Sequence, residues 1–278
     1  MFLWMNGKYI NEKEVTISPF DHGFLYGINF FERFRTYKGQ VVLFQEHYNR
    51  LITKLNQFRI KMPYSVKEIL QVIQKLKSYA NDQDGIYFIN VSTRNEKSPL
   101  QYPTINNNEP NVTIFRIDLF PRKRGIEKEA KWLHVRENVN SLFEQRFLGN
   151  LEIDNIEKVE GIFLRDNRFV TEGLTSNIFF TKEKTIFTPS LAMGITPGIT
   201  RQWVINTAKQ MGYRVVEDLF IKKDLEEAYE CFVTNSIDEI VPISNIGSVQ
   251  FLGRDGTIYQ RLHNAYIDEI LRTIKKGE

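Results

Sequence analysis

Thr188-Pro189-Ser190-Leu191, followed two residues later by Gly194-Ile195-Thr196-Pro197-Gly198-Ile199-Thr200-Arg201, is the stretch whose reading settles the architecture. Pro197-Gly198 is a turn that runs straight into an amphipathic segment, which predicts a helix over 200–211 closed by Gly212. The first N–H groups of a helix have no partner inside it, and that end carries partial positive charge. The amides of Ile199 and Thr200, with the Thr200 hydroxyl, therefore stand where a phosphate would be held. Threonine also caps helices well, so on the residues alone Thr200 reads first as an ordinary N-cap.

Three further segments carry chemistry. In Val170-Thr171-Glu172-Gly173-Leu174-Thr175-Ser176-Asn177 a carboxylate leaves a strand for a loop of small residues. Taken alone, Glu172 reads as an exposed loop acid. Phe232-Val233-Thr234-Asn235-Ser236 is a strand ending in small polar residues that can offer hydroxyls and amides to an anion. His47 and Arg50 lie one helical turn apart on a shared face. An arginine fork suits a phosphate; a surface salt bridge is the plainer reading.

Around these segments the pattern is mixed. Asn6-Gly7 predicts a hairpin turn. Phe30 to Tyr37 alternates, with Phe30, Glu32, Phe34 and Thr36 on one face. Leu51, Ile52, Leu55 and Phe58 fall at helical spacing, and Ser65-Val66-Lys67-Glu68 is a capping box opening a second helix. Strands are expected over 86–91, 112–117, 132–135, 161–164, 169–171, 177–180, 231–234 and 240–243, and a last helix over 260–275. The organisation is α+β in two domains: a small α+β domain over 1–117, a linker over 118–127, and a larger strand-rich α/β domain over 128–278.

Composition excludes other classes. The 278 residues are 42% hydrophobic and 26% charged, enough apolar surface to offset the ordering entropy that keeps some chains disordered. The net charge is +3, with basic and acidic residues interleaved, so no nucleic-acid partner is expected. Arg122-Lys123-Arg124 reads as a solvated linker patch. No apolar run approaches the ~20 residues that span a bilayer, so no membrane partner is expected. Residues 1–8 do not read as a signal peptide. The single cysteine, Cys231, cannot form an intrachain disulfide and reads as a buried structural thiol, which favours a reducing, cytoplasmic setting. No cluster has metal-ligand spacing, so no metal is expected.

Taken in order, six motifs resemble the class IV aminotransferases, the fold-type IV pyridoxal 5'-phosphate (PLP) enzymes. They are the run Ser18-Pro19-Phe20-Asp21-His22-Gly23-Phe24-Leu25-Tyr26-Gly27, Phe31-Glu32 with Arg35, and His47 with Arg50. Next come Thr171-Glu172-Gly173 with Ser176-Asn177, then Thr188-Pro189 with Pro197-Gly198-Ile199-Thr200-Arg201, and finally Thr234-Asn235-Ser236. The resemblance covers nearly the whole chain and implies the D-amino acid aminotransferase-like fold. The second half is worded most like the 4-amino-4-deoxychorismate lyases. The resemblance implies that Glu172 bonds the pyridine nitrogen and keeps it protonated. It implies that Arg50, Ile199, Thr200 and Ser236 hold the phosphate, that Leu191 packs on the ring, and that two copies form a homodimer acting on a small-molecule substrate.

The family also carries a Schiff-base lysine, roughly 30 residues before the glutamate. Counting back from Glu172 leads to Asn138 to Phe143, and the run Phe147-Leu148-Gly149-Asn150 puts the slot near Phe143. Residues 132–157 hold no lysine. Lys131 and Lys158 flank the gap at positions where the family does not place it, and Arg146 cannot form the imine. Arg33 stands where the family has threonine, Phe88 where related enzymes often have arginine, and residues 147–161 are short for the usual helix. Three functions follow as alternatives. The first is a lyase releasing pyruvate from aminodeoxychorismate to leave 4-aminobenzoate for folate. The second is a branched-chain or D-amino acid aminotransferase. The third is a catalytically degenerate homologue that binds PLP non-covalently, has lost it, or serves as a binding subunit.

Overall fold

A computed structural model of the chain describes residues 1–19, 21–93, 110–119, 125–135 and 141–277. Phe20, residues 120–124 of the expected linker with Arg122-Lys123-Arg124, and Asn138 and Asn140 lie outside the described residues. The chain divides into two compact units, Met1–Pro121 with Ile270–Glu278, and Arg122–Glu269. The expected second domain ran to residue 278. The division falls inside the last helix, with residues 270–278 grouped with the first unit.

In the first unit, β1 (Phe2–Met5) and β2 (Lys8–Asn11) form the hairpin, turned by Asn6 and Gly7 at φ 49° and 90°. The short helix α1 (His22–Tyr26) is capped by the Asp21 carboxylate and ends at Gly27 in the left-handed region. β3 (Asn29–Tyr37) and β4 (Gln40–Val41) are followed by α2 (Phe44–Gln57) and α3 (Val66–Ser78), then by β5 (Gly85–Ser92) and β6 (Asn111–Asp118). The strands order as β2-β1-β6-β5-β3-β4. The face of β3 bearing Glu32, Phe34 and Thr36 is buried, as the alternation predicted. Phe34, Tyr87, Ile89 and Ile114 meet Leu51, Leu55, Ile69 and Ile73 in one core. Each such side chain contributes about 1.5–3 kcal/mol on burial. The Ser65 box forms as read, with the Glu68 amide donating to Ser65 Oγ and the Ser65 amide to Glu68 Oε2. Phe58, expected on the apolar face, lies past the end of α2 and is exposed.

The second unit is built on one mixed sheet. Its elements are β7 (Lys128–His134), α4 (Leu142–Asn150), β8 (Val159–Arg165), β9 (Phe169–Gly173), β10 (Asn177–Lys182), β11 (Thr185–Pro189), α5 (Ile199–Gln210), β12 (Arg214–Asp218), α6 (Lys222–Glu226), β13 (Glu230–Asn235), β14 (Glu239–Ile246), β15 (Val249–Gln250) and α7 (Thr257–Gly277). The strand order is β12-β11-β10-β13-β14-β7-β8-β9, with β15 on β14. One cluster, including Leu164, Val170, Phe180, Val233 and Ile243, forms its main core. A second, of Leu133, Ile153, Phe163 and Leu174, lies where α4 meets the sheet. A Cβ at Gly149 would fall 2.8 Å from Phe163 Cζ, so glycine lets α4 sit close on the strands. α4 spans nine residues, Leu142–Asn150, and begins before the 147–161 segment singled out in the sequence. Cys231 is buried in the core, and burial pushes its thiol up. Among the described residues no helix is long and apolar enough to cross a membrane.

Candidate functional site

Glu172 is the centre of the arrangement. It lies within β9, not in an exposed loop, and is 2% exposed. A buried carboxylate requires partners, because removing charge from water without them costs several kcal/mol. Three contacts supply them. The Thr196 amide donates to Oε2 at 2.9 Å, the Thr196 hydroxyl to Oε1 at 3.4 Å, and Arg146 Nη2 to Oε1 at 3.1 Å. Arg146 Nη2 also donates to Thr196 Oγ1 at 2.9 Å. A helix residue, a strand carboxylate and a loop threonine thus form one closed set.

Beside this set is a cavity of about 160 Å3, whose walls include Val135, Gln145, Phe163, Arg165, Glu172 and Met193. Among the described residues no lysine lines it, and residues 136–140 contain none in the sequence. Lys131 Nζ donates to the Glu152 carbonyl at 3.0 Å, and Lys128 Nζ to the Ile156 carbonyl at 2.9 Å. Phe143, nearest the expected lysine slot, sits on α4 and is 70% exposed, whereas Gln145 is buried and lines the cavity.

The candidate anion site is at the start of α5. Its N-cap is Gly198, which offers no side chain, so Thr200 is the second helical residue and not the cap. Thr200 is buried. Asn177 pins the approach to the helix, its Nδ2 donating to the Thr196 carbonyl at 2.8 Å. A Cβ at residue 198 would overlap Asn177 Oδ1, so the approach requires glycine. Asn177 pairs across the sheet with Thr234, whose buried hydroxyl has no hydrogen-bond partner among the described residues. Ser236 follows directly after β13. Asn235 Oδ1 accepts from the amides of Ile237 and Asp238, which holds the turn after Ser236. Leu191 is in a short 3-10 turn, Leu191–Met193, and is partly exposed; Met193 rather than Leu191 lines the cavity.

Glu172, Leu191, Ile199, Thr200 and Ser236 are all in the second unit, and Arg50 is in the first. The plainer reading of Arg50 as a surface salt bridge does not hold. Arg50 Nε and Nη2 grip Glu32 Oε1 and Oε2 at 2.7 and 2.6 Å, and His47 Nδ1 lies 2.7 Å from Oε2. The shared face of His47 and Arg50 thus meets a buried carboxylate. Burial works to raise that carboxyl, but the hydrogen bonds from His47 and Arg50 outweigh it and hold Glu32 below its usual range. Gln145 and the Arg146 contact were not legible in the sequence, since a nine-residue helix with a weak apolar pattern does not announce which side chains face inward; nor was Arg165, which closes β8.

The model of the amino-transferase class IV family matches residues 29–246. This chain belongs to the class IV aminotransferases. It is 35% identical over 284 residues to aminodeoxychorismate lyase of Bacillus subtilis (strain 168), covering 99% of this chain and 97% of that one. It is 30% identical over 285 residues to a putative branched-chain-amino-acid aminotransferase of Methanocaldococcus jannaschii, covering 99% and 94%. A solved structure of a branched-chain amino acid aminotransferase from T.th. with pyridoxamine 5'-phosphate superposes with a TM-score of 0.78 at 22% identity, over 97% of this chain and 93% of that one. The family implies pyridoxal phosphate. The present residues fit two ends of that group and not the third. Glu172 is a buried carboxylate on the cavity wall, of the kind that would accept from a ring nitrogen, and the start of α5, with no side-chain cap, offers amides of the kind that would hold a phosphate; the described walls of the cavity do not include Ile199, Thr200 or Ser236. No amine stands ready to take the aldehyde among the described residues.

Proposed function

We propose that this class IV protein binds a phosphopyridoxyl cofactor non-covalently, as a homologue of aminodeoxychorismate lyase that has lost the lysine-borne step. The observation that carries this reading is the cavity beside Glu172, which keeps the buried carboxylate and has no lysine in its described walls. Glu172 would hold the ring end, and Ile199, Thr200 and Ser236 the phosphate, with Met193 rather than Leu191 on the cavity wall; the Arg50 fork is taken up by Glu32. When bound, such a cofactor supplies an electron sink for a small amino-acid-like substrate. Among the described residues no lysine lines the cavity to carry protons beside it, a role that commonly contributes 10²–10⁴-fold, as an order of magnitude, to rate. A homodimer and a cytoplasmic setting belong to the same reading.

The 35% identity to the Bacillus subtilis lyase favours a second reading, an active lyase with a relocated base. The 30% identity to the Methanocaldococcus protein keeps an aminotransferase in view. One experiment separates them. Purified protein is titrated with PLP and with pyridoxamine 5'-phosphate, reduced with borohydride, and mapped by peptide mass, beside an assay of 4-aminobenzoate released from aminodeoxychorismate. Saturable binding with no site-specific adduct and no release supports the non-covalent reading. A specific adduct on Lys128, Lys131 or Lys158, or turnover of aminodeoxychorismate, overturns it.

A further inference from the structure

Glu172 and Asn177 are joined through Thr196. Glu172 Oε2 accepts from the Thr196 amide at 2.9 Å, and the Thr196 carbonyl accepts from Asn177 Nδ2 at 2.8 Å. The chain closes this circle through residues 173–176, which carry β9 into β10. That turn is folded around a carboxylate from the neighbouring strand. Glu160, on β8 and 3% exposed, accepts at Oε1 from the Thr175 amide at 3.1 Å and from the Ser176 hydroxyl at 2.9 Å. Its Oε2 lies 3.5 Å from Lys128 Nζ, and that amine also donates to the Ile156 carbonyl at 2.9 Å. We propose that Glu160 is a positioning residue: its Oε1 sets the turn, and the turn sets Glu172 and Asn177 against Thr196. The consequence for a ligand rests on the reading that a phosphopyridoxyl group binds beside Glu172; the consequence for Thr196 does not.

The first half of the turn is anchored by Leu174, which packs with Leu133, Ile153 and Phe163. The second half, Thr175-Ser176, has no apolar side chain to do the same, and the carboxylate ties it down. A Cβ at Gly173 would overlap Ser176 Oγ and crowd Glu160 Oε1, so the turn is closed tightly on this group. Ser176 is buried, and a buried hydroxyl that loses its acceptor turns elsewhere or moves toward water, taking the turn with it. The two oxygens of Glu160 therefore do different things. Oε2 faces the Lys128 charge, and breaking a buried ion pair from one side costs stability, whereas replacing both partners by apolar side chains of similar volume is often neutral. Oε1 holds the turn, and an amide oxygen can accept there as a carboxylate oxygen does. Two close donors at the turn, against one more distant amine, direct that amide oxygen toward the turn. Position and stability can thus be moved independently.

Three variants of the full-length protein separate the two, read by hydrogen exchange at the Thr196 amide and by titration with pyridoxamine 5'-phosphate near neutral pH, with urea midpoints in parallel. Glu160→Gln keeps an acceptor for the turn and loses the charge opposite Lys128. It is expected to be less stable than wild type, with Thr196 exchange and affinity within about twofold of it. Glu160→Leu combined with Lys128→Met removes both charges and the acceptor. It is expected to be no less stable than Glu160→Gln, yet to speed Thr196 exchange and weaken binding about tenfold each, the scale of one hydrogen bond to a charged group. Ser176→Ala leaves both charges in place and is expected to speed Thr196 exchange too; it decides if the double variant does not fold, and unchanged exchange there overturns the inference. Exchange and affinity that simply follow the urea midpoint across the variants also overturn it, as do wild-type values in the double variant. A wild-type protein that binds no pyridoxamine 5'-phosphate overturns the cofactor reading, and Thr196 exchange, which needs no ligand, then decides this inference alone.

Discussion

Arg50 grips Glu32 with both arms of the fork: Nε to Oε1 at 2.7 Å and Nη2 to Oε2 at 2.6 Å, in a setting where Glu32 is 2% exposed. With Glu32 ionised, His47 Nδ1 carries the proton it shares with Oε2, so three side chains from β3 and α2 form one buried unit. Breaking such a unit from one side leaves a charge buried without its partner. Arg50→Ala is expected to cost about 3–5 kcal/mol of stability, read as a lower urea midpoint. Glu32→Gln, which leaves no unpaired anion, is expected to cost less. A larger loss for Glu32→Gln would show that the carboxylate's own packing, and not its charge, dominates there.

The same pair sets a pH dependence. Glu32 is held below its usual range, so it binds fewer protons folded than unfolded. Its contribution is fully present above the unfolded carboxyl value and disappears as pH falls through the lower, folded one. Urea midpoints of wild type and Glu32→Gln should therefore converge on acidification and separate toward neutrality. A constant gap across that range would contradict the assignment.

Gly198 is required by the Asn177 side chain. A Cβ there would overlap Asn177 Oδ1, and overpacking of this kind typically costs about 1–3 kcal/mol. Gly198→Ala is expected to lower the melting temperature and weaken pyridoxamine 5'-phosphate binding together. Adding Asn177→Ala should recover part of the stability by removing the obstacle. No recovery in the double variant would place the strain elsewhere in the loop.

At the anion end, Thr200→Val and Ser236→Ala each remove one hydroxyl from the proposed phosphate site. Each is expected to weaken binding of the cofactor about tenfold or more, the scale of a hydrogen bond to a charged group. The measurement is a titration of pyridoxamine 5'-phosphate against its unphosphorylated form. Loss of affinity for both forms alike would count against a phosphate role.

Lysines introduced singly at Phe143 and Gln145 bracket the edge of the cavity, one at the exposed side of α4 and one at its inner wall. Borohydride in the presence of PLP should leave a phosphopyridoxyl mass on at least one of these variants and none on the wild type. Failure of both would mean that the cavity has lost more than its amine.

Local physics carried a large part of this protein into view. The Asn6-Gly7 turn, the Ser65 capping box, the alternation along β3 and the helix after Pro197-Gly198 each depend on residues within a few positions of one another, so short-range pattern was sufficient. The family, too, was readable, because its motifs stand in fixed order along the chain, and the family model matches residues 29–246. The strands β11, β12 and β15 and the helices α1 and α6 were not foreseen; each spans five residues or fewer.

What lay beyond the linear pattern is the partnering of charges far apart in the chain. Glu172 and Arg146 are 26 positions apart, and nothing in their neighbouring residues marks them as a pair. Glu32 and Arg50 are 18 apart, and Asn177 reaches the carbonyl of Thr196 across 19. A buried carboxylate takes whichever donor the packing delivers, and here the close seating of α4 through Gly149 brings Arg146 to it. Composition could say that this chain folds and motif order could say into which family; only the meeting of α4, β9 and the loop before α5 assigns Glu172 its counter-charge, because electrostatic partnership is set by distance in space and not by distance along the chain.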